Sequence, residues 1–140
     1  MTYKKLTPNF SVKNVKETVL FYQDILGFEL SMVVPNDKKV IENSIDSSRK
    51  YDYAMMKKDE VFIMFLEEKN YLQDIPVTNI SNCNSVLFYI DIENINEIYS
   101  NLQRKEVEII KDLHINWYGM KEFYIKDCNG YILGFGERDL

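Results

Sequence analysis

The alternation of hydrophobic and polar residues near the N-terminus is typical of a half-buried β-strand followed by an amphipathic helix. KLTPNFSV (residues 5 to 12) is apolar at every second position. Pro8 places this strand at a sheet edge or near its own start, because proline cannot donate a backbone hydrogen bond. Apolar residues then recur at helical spacing until Gly27, which is the expected C-cap. Asn14 is the predicted N-cap, and Glu17 completes a capping box.

The same pattern recurs 80 residues later in the chain. DIENINEI (91 to 98) repeats SVKNVKET (11 to 18), with an alternating strand before it and a helical stripe of apolar residues after it. Asn94 and Glu97 are predicted to cap the second helix in the way that Asn14 and Glu17 cap the first. Because strand, cap and helix all agree at one offset, the pattern indicates an internal repeat.

Further strand-like segments complete each copy of the repeat. The last pair follows two tight turns, KKDE and DCNG, and the second turn has an Asn-Gly pair suited to a hairpin. The chain is therefore predicted to be an α+β protein of tandem βαβββ modules. The corresponding segments are GFEL (27 to 30) with VEII (107 to 110), YDYAMMK (51 to 57) with MKEFYIK (120 to 126), and VFIMFLE (61 to 67) with YILGFGE (131 to 137).

The module boundaries follow from this pattern. The first module is predicted over residues 1–67 and the second over 84–140, with a polar linker over 68–83 and one compact domain overall. Each helix covers one sheet face, so the uncovered faces are expected to pair in a cupped mixed sheet with a central cleft. The polar segment 35–50 is long for a hairpin connection and predicts either a mobile loop or a lid over a site.

Composition narrows the classes of function. The chain has 46% hydrophobic and 28% charged residues, and it lacks any apolar run near the ~18 residues that span a bilayer. The N-terminus also lacks an apolar secretion segment, so we expect a cytoplasmic protein that does not bind membranes. Cys83 and Cys128 have no metal-binding spacing and are expected to be free thiols. The net charge of −5 disfavours nucleic-acid binding and weakly favours cationic ligands.

The two ends of the chain resemble one protein family. LTPNFSVKNVKETVLFYQDILGF (6 to 28) is similar to the opening of the vicinal oxygen chelate superfamily, which includes glyoxalase I, extradiol dioxygenases and bleomycin-resistance proteins. WYGMKEFYIKDCNGYILGFGE (117 to 137) is similar to its closing motif: a Trp-Gly turn, a strand, a D-x-x-G hairpin and a final strand. The resemblance covers nearly the entire chain and implies the tandem fold described above.

The resemblance also indicates where a metal would be held. Catalytic members use four inward positions as metal ligands, and counting back from the two helix caps puts the first-strand positions on Thr7 and Leu87. The last-strand positions fall on Met64 and Gly134. None of these residues is a competent ligand for a divalent metal, which needs several imidazole, carboxylate or thiolate groups. We therefore expect no bound metal and no cofactor.

Other candidate chemical groups are few. His114 is the only histidine, and it is expected to be structural or incidental, with contact to a ligand as the alternative. Glu67 and Glu137 match as strand-end residues of the repeat, so structural or solvated carboxylates are favoured over an acid/base pair. The sequence contains no Gly-rich phosphate loop, nucleophile motif or HExxH. No catalytic residue is predicted.

Strand parity predicts which side chains line the cleft. It turns Asn9, Ser11, Phe62, Leu66 and Tyr89 towards the concave face. On the third strand of the second module Phe123 and Ile125 are predicted core residues, which leaves the alternate positions inward. Glu122 is the best candidate for attracting a positive charge, although the aromatic residues also fit a core or dimer interface. The predicted ligand-binding residues are Asn9, Phe62, Met64, Leu87, Tyr89, Trp117, Tyr118, Met120, Glu122 and Tyr124.

Within the superfamily the chain most resembles bleomycin-resistance proteins, in its TPN sequence and Trp-Gly turn. That resemblance implies a homodimer with clefts between subunits, and exchanged N-terminal strands are compatible with Pro8. The first hypothesis is a metal-independent small-molecule binding protein that sequesters an aromatic or cationic antibiotic. The second is a metal-dependent enzyme of the glyoxalase or dioxygenase type with displaced ligands, and the third is an accessory module that binds a partner.

Overall fold

The computed structural model describes residues 1–75 and 86–139, which form two compact units, Met1–Ile80 and Ser81–Leu140. Each unit contains a four-stranded mixed sheet and a ten-residue helix in the order βαβββ, so the α+β class and the tandem modules are confirmed. The cleft expected between the modules stays a prediction.

The first unit has strands in the spatial order β1-β4-β3-β2, with β1 parallel to β4 and the other pairs antiparallel. The second unit repeats this topology in the order β5-β8-β7-β6. The first-unit elements are β1 (Asn9–Val12), α1 (Val15–Asp24), β2 (Glu29–Pro35), β3 (Tyr51–Lys58), β4 (Val61–Glu67) and α2 (Glu68–Asp74). Those of the second unit are β5 (Phe88–Asp91), α3 (Ile95–Arg104), β6 (Ile109–Ile115), β7 (Met120–Lys126) and β8 (Ile132–Arg138).

The backbone register confirms the internal repeat. Asn9 pairs with Met64 across the parallel strands β1 and β4, and Tyr89 pairs with Gly134 across β5 and β8. The partners in the second unit are therefore offset from those in the first by the 80 and 70 residues that the sequence repeat shows. Strand β1 begins at Asn9, later than the alternating pattern predicted, although the Pro8 carbonyl still accepts from the Met64 backbone N–H at 2.8 Å.

The ten-residue helix of each unit covers one face of its sheet. In the first unit the ring of Tyr22 on α1 packs against Phe65 on β4 with centroids 4.8 Å apart. In the second unit Tyr99 on α3 contacts Phe123 on β7, which stacks on Phe135 of β8. These aromatic residues alternate with side chains on the opposite face of the strands. The helices therefore fix which face of each sheet remains for other contacts.

The two long helices begin differently, which corrects one prediction. The Asn14 side chain accepts a hydrogen bond from the Glu17 backbone N–H at 3.0 Å, as expected for an N-cap. Asn94 makes no such bond, because it adopts a left-handed conformation with φ of 60°. Instead the carboxylate of Glu137 accepts from the backbone N–H groups of Asn94 and Ile95, at 3.0 and 3.2 Å.

Glu67 has the same role at another helix. Its Oε2 accepts from the backbone N–H groups of Lys69 and Asn70 at the start of α2. This short helix lies in the segment that was predicted to be a linker, while the linker residues 76–83 fall outside the described part of the chain. Glu67 and Glu137 therefore stabilise helix N-termini, where negative charge is favourable.

The connection between β2 and β3 is fastened to its own unit. Arg49 pairs with both carboxylate oxygens of Glu42, at 2.9 and 3.0 Å, and with Asp37 at 3.0 Å. Lys16 on α1 donates to the backbone carbonyls of Ser47 and Arg49, at 2.7 and 3.0 Å. These contacts hold the segment 35–50, which the sequence predicts to be a mobile loop or a lid. That the segment covers a bound ligand stays a prediction.

Two further expectations concern the surface of the chain. No helix within residues 1–75 and 86–139 has the length and apolar character needed to cross a membrane. Cys128 is exposed, whereas Cys83 lies outside the described residues.

Candidate functional site

The face of the second sheet that lies opposite α3 carries a buried carboxylate, that of Glu122 on β7. Its neighbours Phe123 and Ile125 belong to the core under α3, and strand alternation turns Glu122 and Tyr124 to the opposite face. Only 3% of the Glu122 surface is exposed. A carboxylate at this depth needs specific partners, because an unpaired buried charge is strongly destabilising.

Two tyrosines from different strands supply hydrogen bonds to this carboxylate. The Tyr89 hydroxyl on β5 donates to Glu122 Oε2 at 2.7 Å. The Tyr124 hydroxyl donates to Glu122 Oε1 at 3.3 Å. The alternation of residues along the strands predicted that Tyr89, Glu122 and Tyr124 line a ligand site. The structure brings these three side chains together on one face.

Two glycines on β8 make room for the tyrosine rings. A Cβ atom at Gly134 would lie 3.1 Å from the Tyr124 ring and 3.3 Å from the Tyr89 ring. A Cβ atom at Gly136 would overlap the Tyr89 hydroxyl oxygen. The rings therefore lie directly over the backbone of β8, which separates β5 from β7.

His114 also lies beside Glu122, although the sequence did not place it among the predicted ligand-binding residues. It pairs with Glu122 across the β6–β7 hairpin, and its Nε2 lies 3.4 Å from Glu122 Oε1. The other ring nitrogen, Nδ1, lies 2.8 Å from the backbone oxygen of Asp112. The signal was present in the sequence, because residues equally distant from the centre of a hairpin turn face each other, and His114 and Glu122 are equally distant from Tyr118.

The cluster keeps Glu122 ionised. Burial by itself would raise the pKa of the Glu122 carboxyl group, but the hydrogen bonds from Tyr89 and Tyr124 and the charge of His114 are among the effects that outweigh it, and the pKa lies below its ordinary value. Asn116 acts in the same direction, although its Nδ2 makes no hydrogen bond of good geometry within the described residues. Burial and the neighbouring carboxylate raise the pKa values of both tyrosines. Glu122 is thus a carboxylate between two phenols that are neutral at neutral pH.

Four more predicted site residues lie in the same unit. Trp117 and Tyr118 form an edge-to-face pair in the β6–β7 turn, and Trp117 is 94% exposed. Met120 begins β7, where its backbone N–H donates to the Asn116 side chain at 2.9 Å. Leu87 precedes β5 and is 43% exposed. Their contact with a ligand stays a prediction.

The remaining predicted residues belong to the first unit. Asn9 and Met64 are paired on β1 and β4, and Phe62 lies two residues before Met64 on the same face. The Lys5 ammonium lies 3.6 Å from the centroid of the Phe62 ring, in a cation–π contact. These three side chains supply an amide, an aromatic ring and a thioether, in contrast to the carboxylate of Glu122 in the second unit.

The four positions at which the resemblance predicted metal ligands carry no side chains suited to a divalent metal. Gly134 has no side chain, and the tyrosine rings fill the space where one would be. Thr7, Met64 and Leu87 supply a hydroxyl, a thioether and an alkyl group, which are not the donors that divalent ions prefer. Among the described residues, no group of three or more His, Cys, Asp or Glu side chains is arranged to hold a metal ion.

Comparison with known proteins identifies the family. A sequence profile described as the Glyoxalase/Bleomycin resistance protein/Dioxygenase superfamily matches residues 7–135. The chain therefore belongs to this superfamily, as its opening and closing motifs predicted. A search of curated proteins finds no match.

Solved structures share the fold at low sequence identity. TioX from Micromonospora sp. ML1 superposes with a TM-score of 0.72 at 11% identity, covering 97% of this chain and 99% of TioX. A lactoylglutathione lyase from Agrobacterium tumefaciens gives 0.69 at 15% identity, covering 97% and 94%. A glyoxalase/bleomycin resistance protein/dioxygenase family enzyme from Burkholderia phytofirmans PsJN gives 0.70 at 14% identity, covering 94% and 96%.

Proposed function

We propose that the chain is a small-molecule binding protein whose second unit holds a cationic or aromatic ligand without a metal. The observation that carries the proposal is the environment of the Glu122 carboxyl group. This group is buried on the face of the sheet opposite α3, between two tyrosine hydroxyl groups and an imidazole. This cluster, defined by Tyr89, His114, Glu122 and Tyr124, is called the acidic cluster below.

The acidic cluster is poorly explained by stability alone. Replacing a buried charged group by a well-packed apolar side chain is often neutral or stabilising. The opposite face of β7 shows that this chain can bury apolar residues, since Phe123 and Ile125 there are fully covered. A carboxylate with a lowered pKa among aromatic rings is instead suited to attracting a positive charge, and perturbed groups of this kind concentrate at functional sites.

The proposed ligand has a planar or cationic group. Aromatic rings add about 0.5 to 2 kcal/mol for each favourable contact with such a group. The exposed Trp117 and Tyr118 are proposed as further walls, together with Leu87 and Met120. In the first unit Asn9, Phe62 and Met64 are proposed as apolar and amide contacts. Because the superfamily includes bleomycin-resistance proteins, a cationic antibiotic is the first candidate ligand.

Isothermal titration calorimetry with metal-free bleomycin and a panel of planar cations tests the proposal. Wild-type protein is expected to bind at least one compound saturably, and Glu122→Gln to weaken that binding by about 10- to 100-fold, which corresponds to the loss of a charged hydrogen bond. Glu108→Gln is the matched control, because it removes one exposed carboxylate from the same unit. Its affinity should match that of the wild type.

Two results would overturn the proposal. One is the absence of binding to every compound in the panel. The other is a stoichiometric transition metal in protein purified without chelators, together with saturable turnover of a substrate. That second result would favour a metal-dependent glyoxalase or dioxygenase.

A further inference from the structure

The imidazole of His114 faces a hydrogen-bond acceptor at each of its two nitrogens. Nδ1 lies 2.8 Å from the backbone oxygen of Asp112, and Nε2 lies 3.4 Å from Glu122 Oε1. A carbonyl oxygen can only accept a hydrogen bond, so Nδ1 carries a proton. The second nitrogen, Nε2, is then protonated only when the ring is positively charged.

The contact between His114 Nε2 and the Glu122 carboxylate differs between the two charge states of the imidazole. In the charged ring, Nε2–H pairs with Glu122 and neutralises the buried carboxylate. In the neutral ring, the Nε2 lone pair stands beside Oε1, and neither atom supplies a proton to the other. Nε2 is buried and has no hydrogen-bond partner of good geometry within the described part of the chain. The neutral state therefore presents an Nε2 lone pair without a donor beside Glu122 Oε1, which accepts only the long hydrogen bond from Tyr124 within the described residues.

We infer that a proton on His114 Nε2 and a cationic N–H group of the ligand occupy the same place and exclude each other. An ammonium or amidinium group could donate to Nε2 and Glu122 Oε1 together, and it would carry the positive charge that the protonated ring otherwise supplies. This inference rests on the proposed function of the acidic cluster. The inference narrows the ligand to a compound with a compact N–H cation. It also predicts that binding of this ligand releases a proton from His114.

A ligand needs a way in, since the Glu122 side chain is only 4% exposed. Tyr89 is the most exposed member of the acidic cluster, at 41%, and Gly134 and Gly136 present no side chains beneath it. Rotation of Tyr89 would uncover the carboxylate at the cost of one hydrogen bond. The side chain of His114 is 26% exposed, so the imidazole edge offers a second approach.

Ionisable groups face the His114 ring from the strands around it. Facing it from β7 are Glu122, whose pKa is lowered, and Tyr124, whose pKa is raised. Tyr89 on β5 also has a raised pKa. The other ionisable side chains around the cluster are Lys111 and Asp112 on β6, Tyr99 of α3 bonded to Asp112, Asp91 on β5 and Tyr118 in the turn. An imidazole ordinarily changes charge between about pH 5 and 8, which separates it from these groups.

The direction of the pH dependence follows from competition between the proton and the cation for the place at Nε2. At low pH the proton occupies Nε2, so a cation must displace it and binds weakly. As pH rises and the ring loses this proton, affinity increases and then becomes constant. With one proton displaced, the dissociation constant changes by at most about tenfold per pH unit.

Calorimetry with benzamidine tests this linkage, because its amidinium group stays charged throughout pH 5.5 to 8. Titrations at pH 6 in two buffers with different ionisation enthalpies are expected to show release of up to one proton per bound benzamidine. Affinity should rise with pH in the wild type and be flat in His114→Gln. Benzamide, the neutral analogue, should show neither the binding nor the proton release, and Glu108→Gln should behave as the wild type.

Nuclear magnetic resonance provides a test that needs no ligand. His114 is the only histidine of the chain, so its ring gives a single set of imidazole signals. The nitrogen shifts of the neutral ring are expected to show a proton on Nδ1, and a proton on Nε2 instead would overturn the inference. Benzamidine that binds without proton release would also overturn it while leaving the proposed function intact. Failure of benzamidine and the wider panel to bind would instead refute the proposed function.

Discussion

At the scale of single residues, the acidic cluster depends on side chains that are absent as well as on those that are present. Tyr89 reaches Glu122 across β8, and it can do so only because Gly134 and Gly136 occupy that strand. Neither glycine is needed for a left-handed backbone, since the positive φ values occur at other glycines. The two residues are therefore explained by the space that the tyrosine rings require.

Substituting Gly136 tests this explanation. In Gly136→Ala the new Cβ would overlap the Tyr89 hydroxyl, and Tyr89, being 41% exposed, is expected to rotate away rather than distort the strand. Loss of its hydrogen bond to the charged Glu122 should lower the free energy of unfolding by about 1.5 to 3 kcal/mol, measured by urea denaturation. Affinity for the cationic ligand should also change.

A double-mutant cycle supplies the control for this prediction. In a Tyr89→Ala background there is no ring to displace, so Gly136→Ala should then cost less than about 0.5 kcal/mol. Equal costs in the two backgrounds would mean that Gly136 is required for another reason.

At the scale of helices and strands, equivalent positions of the repeat have different roles. Asn14 caps α1 with its own side chain, whereas Asn94 adopts a left-handed conformation and α3 is capped by Glu137. The sequence at the two positions is the same. The difference arises because a carboxylate from the neighbouring strand β8 reaches the backbone N–H groups of α3.

Two substitutions are expected to separate these roles. Asn14→Ala removes a side-chain cap and should destabilise the protein by about 1 kcal/mol. Asn94→Gly removes no cap and introduces the residue that tolerates φ of 60° best, so stability should be unchanged or slightly increased. Urea denaturation of both variants checks this, and comparable losses would show that Asn94 caps α3 after all.

Much of the fold could be predicted from the sequence because the repeat carries local signals. Alternation, the Asn14 cap and the Asn-Gly hairpin each depend on residues close together in the chain. Helix α2 was missed, because its seven residues bury no side chain and so leave no apolar stripe. Glu137 was expected to be structural or solvated, but its capping of α3 depends on a contact over 43 residues.

The site could be predicted only in part, for the same physical reason. Strand parity turned Tyr89, Glu122 and Tyr124 to one face, which is a local property of each strand. The place of His114 required the register of the β6–β7 hairpin, whereas the sequence segment assigned to this strand, VEII, ends at residue 110. The burial of Glu122 could not be predicted from strand alternation, because it depends on the Tyr89 ring that crosses from β5.

At the scale of the whole molecule, the two units share a backbone plan but differ in the chemistry of the sheet faces that lie opposite α1 and α3. The strand registers make Tyr53 and Met55 the counterparts of Glu122 and Tyr124. Burial raises the pKa of Tyr53, so this first-unit position is neutral where the second unit is negative. A repeat that began with equivalent halves would thus have placed its negative charge in one of them.

This asymmetry predicts a single cation-binding site in each chain. Calorimetric titration with benzamidine, or with a tighter cationic compound from the panel, is expected to give one bound molecule per chain. Glu122→Gln should weaken that site by about 10- to 100-fold. Tyr53→Phe alters the register counterpart in the first unit without changing charge, and it should leave affinity within about twofold, because no ionised group is lost. Two equivalent sites per chain would contradict the asymmetry, since the second could arise only from a face that has no carboxylate at the corresponding position.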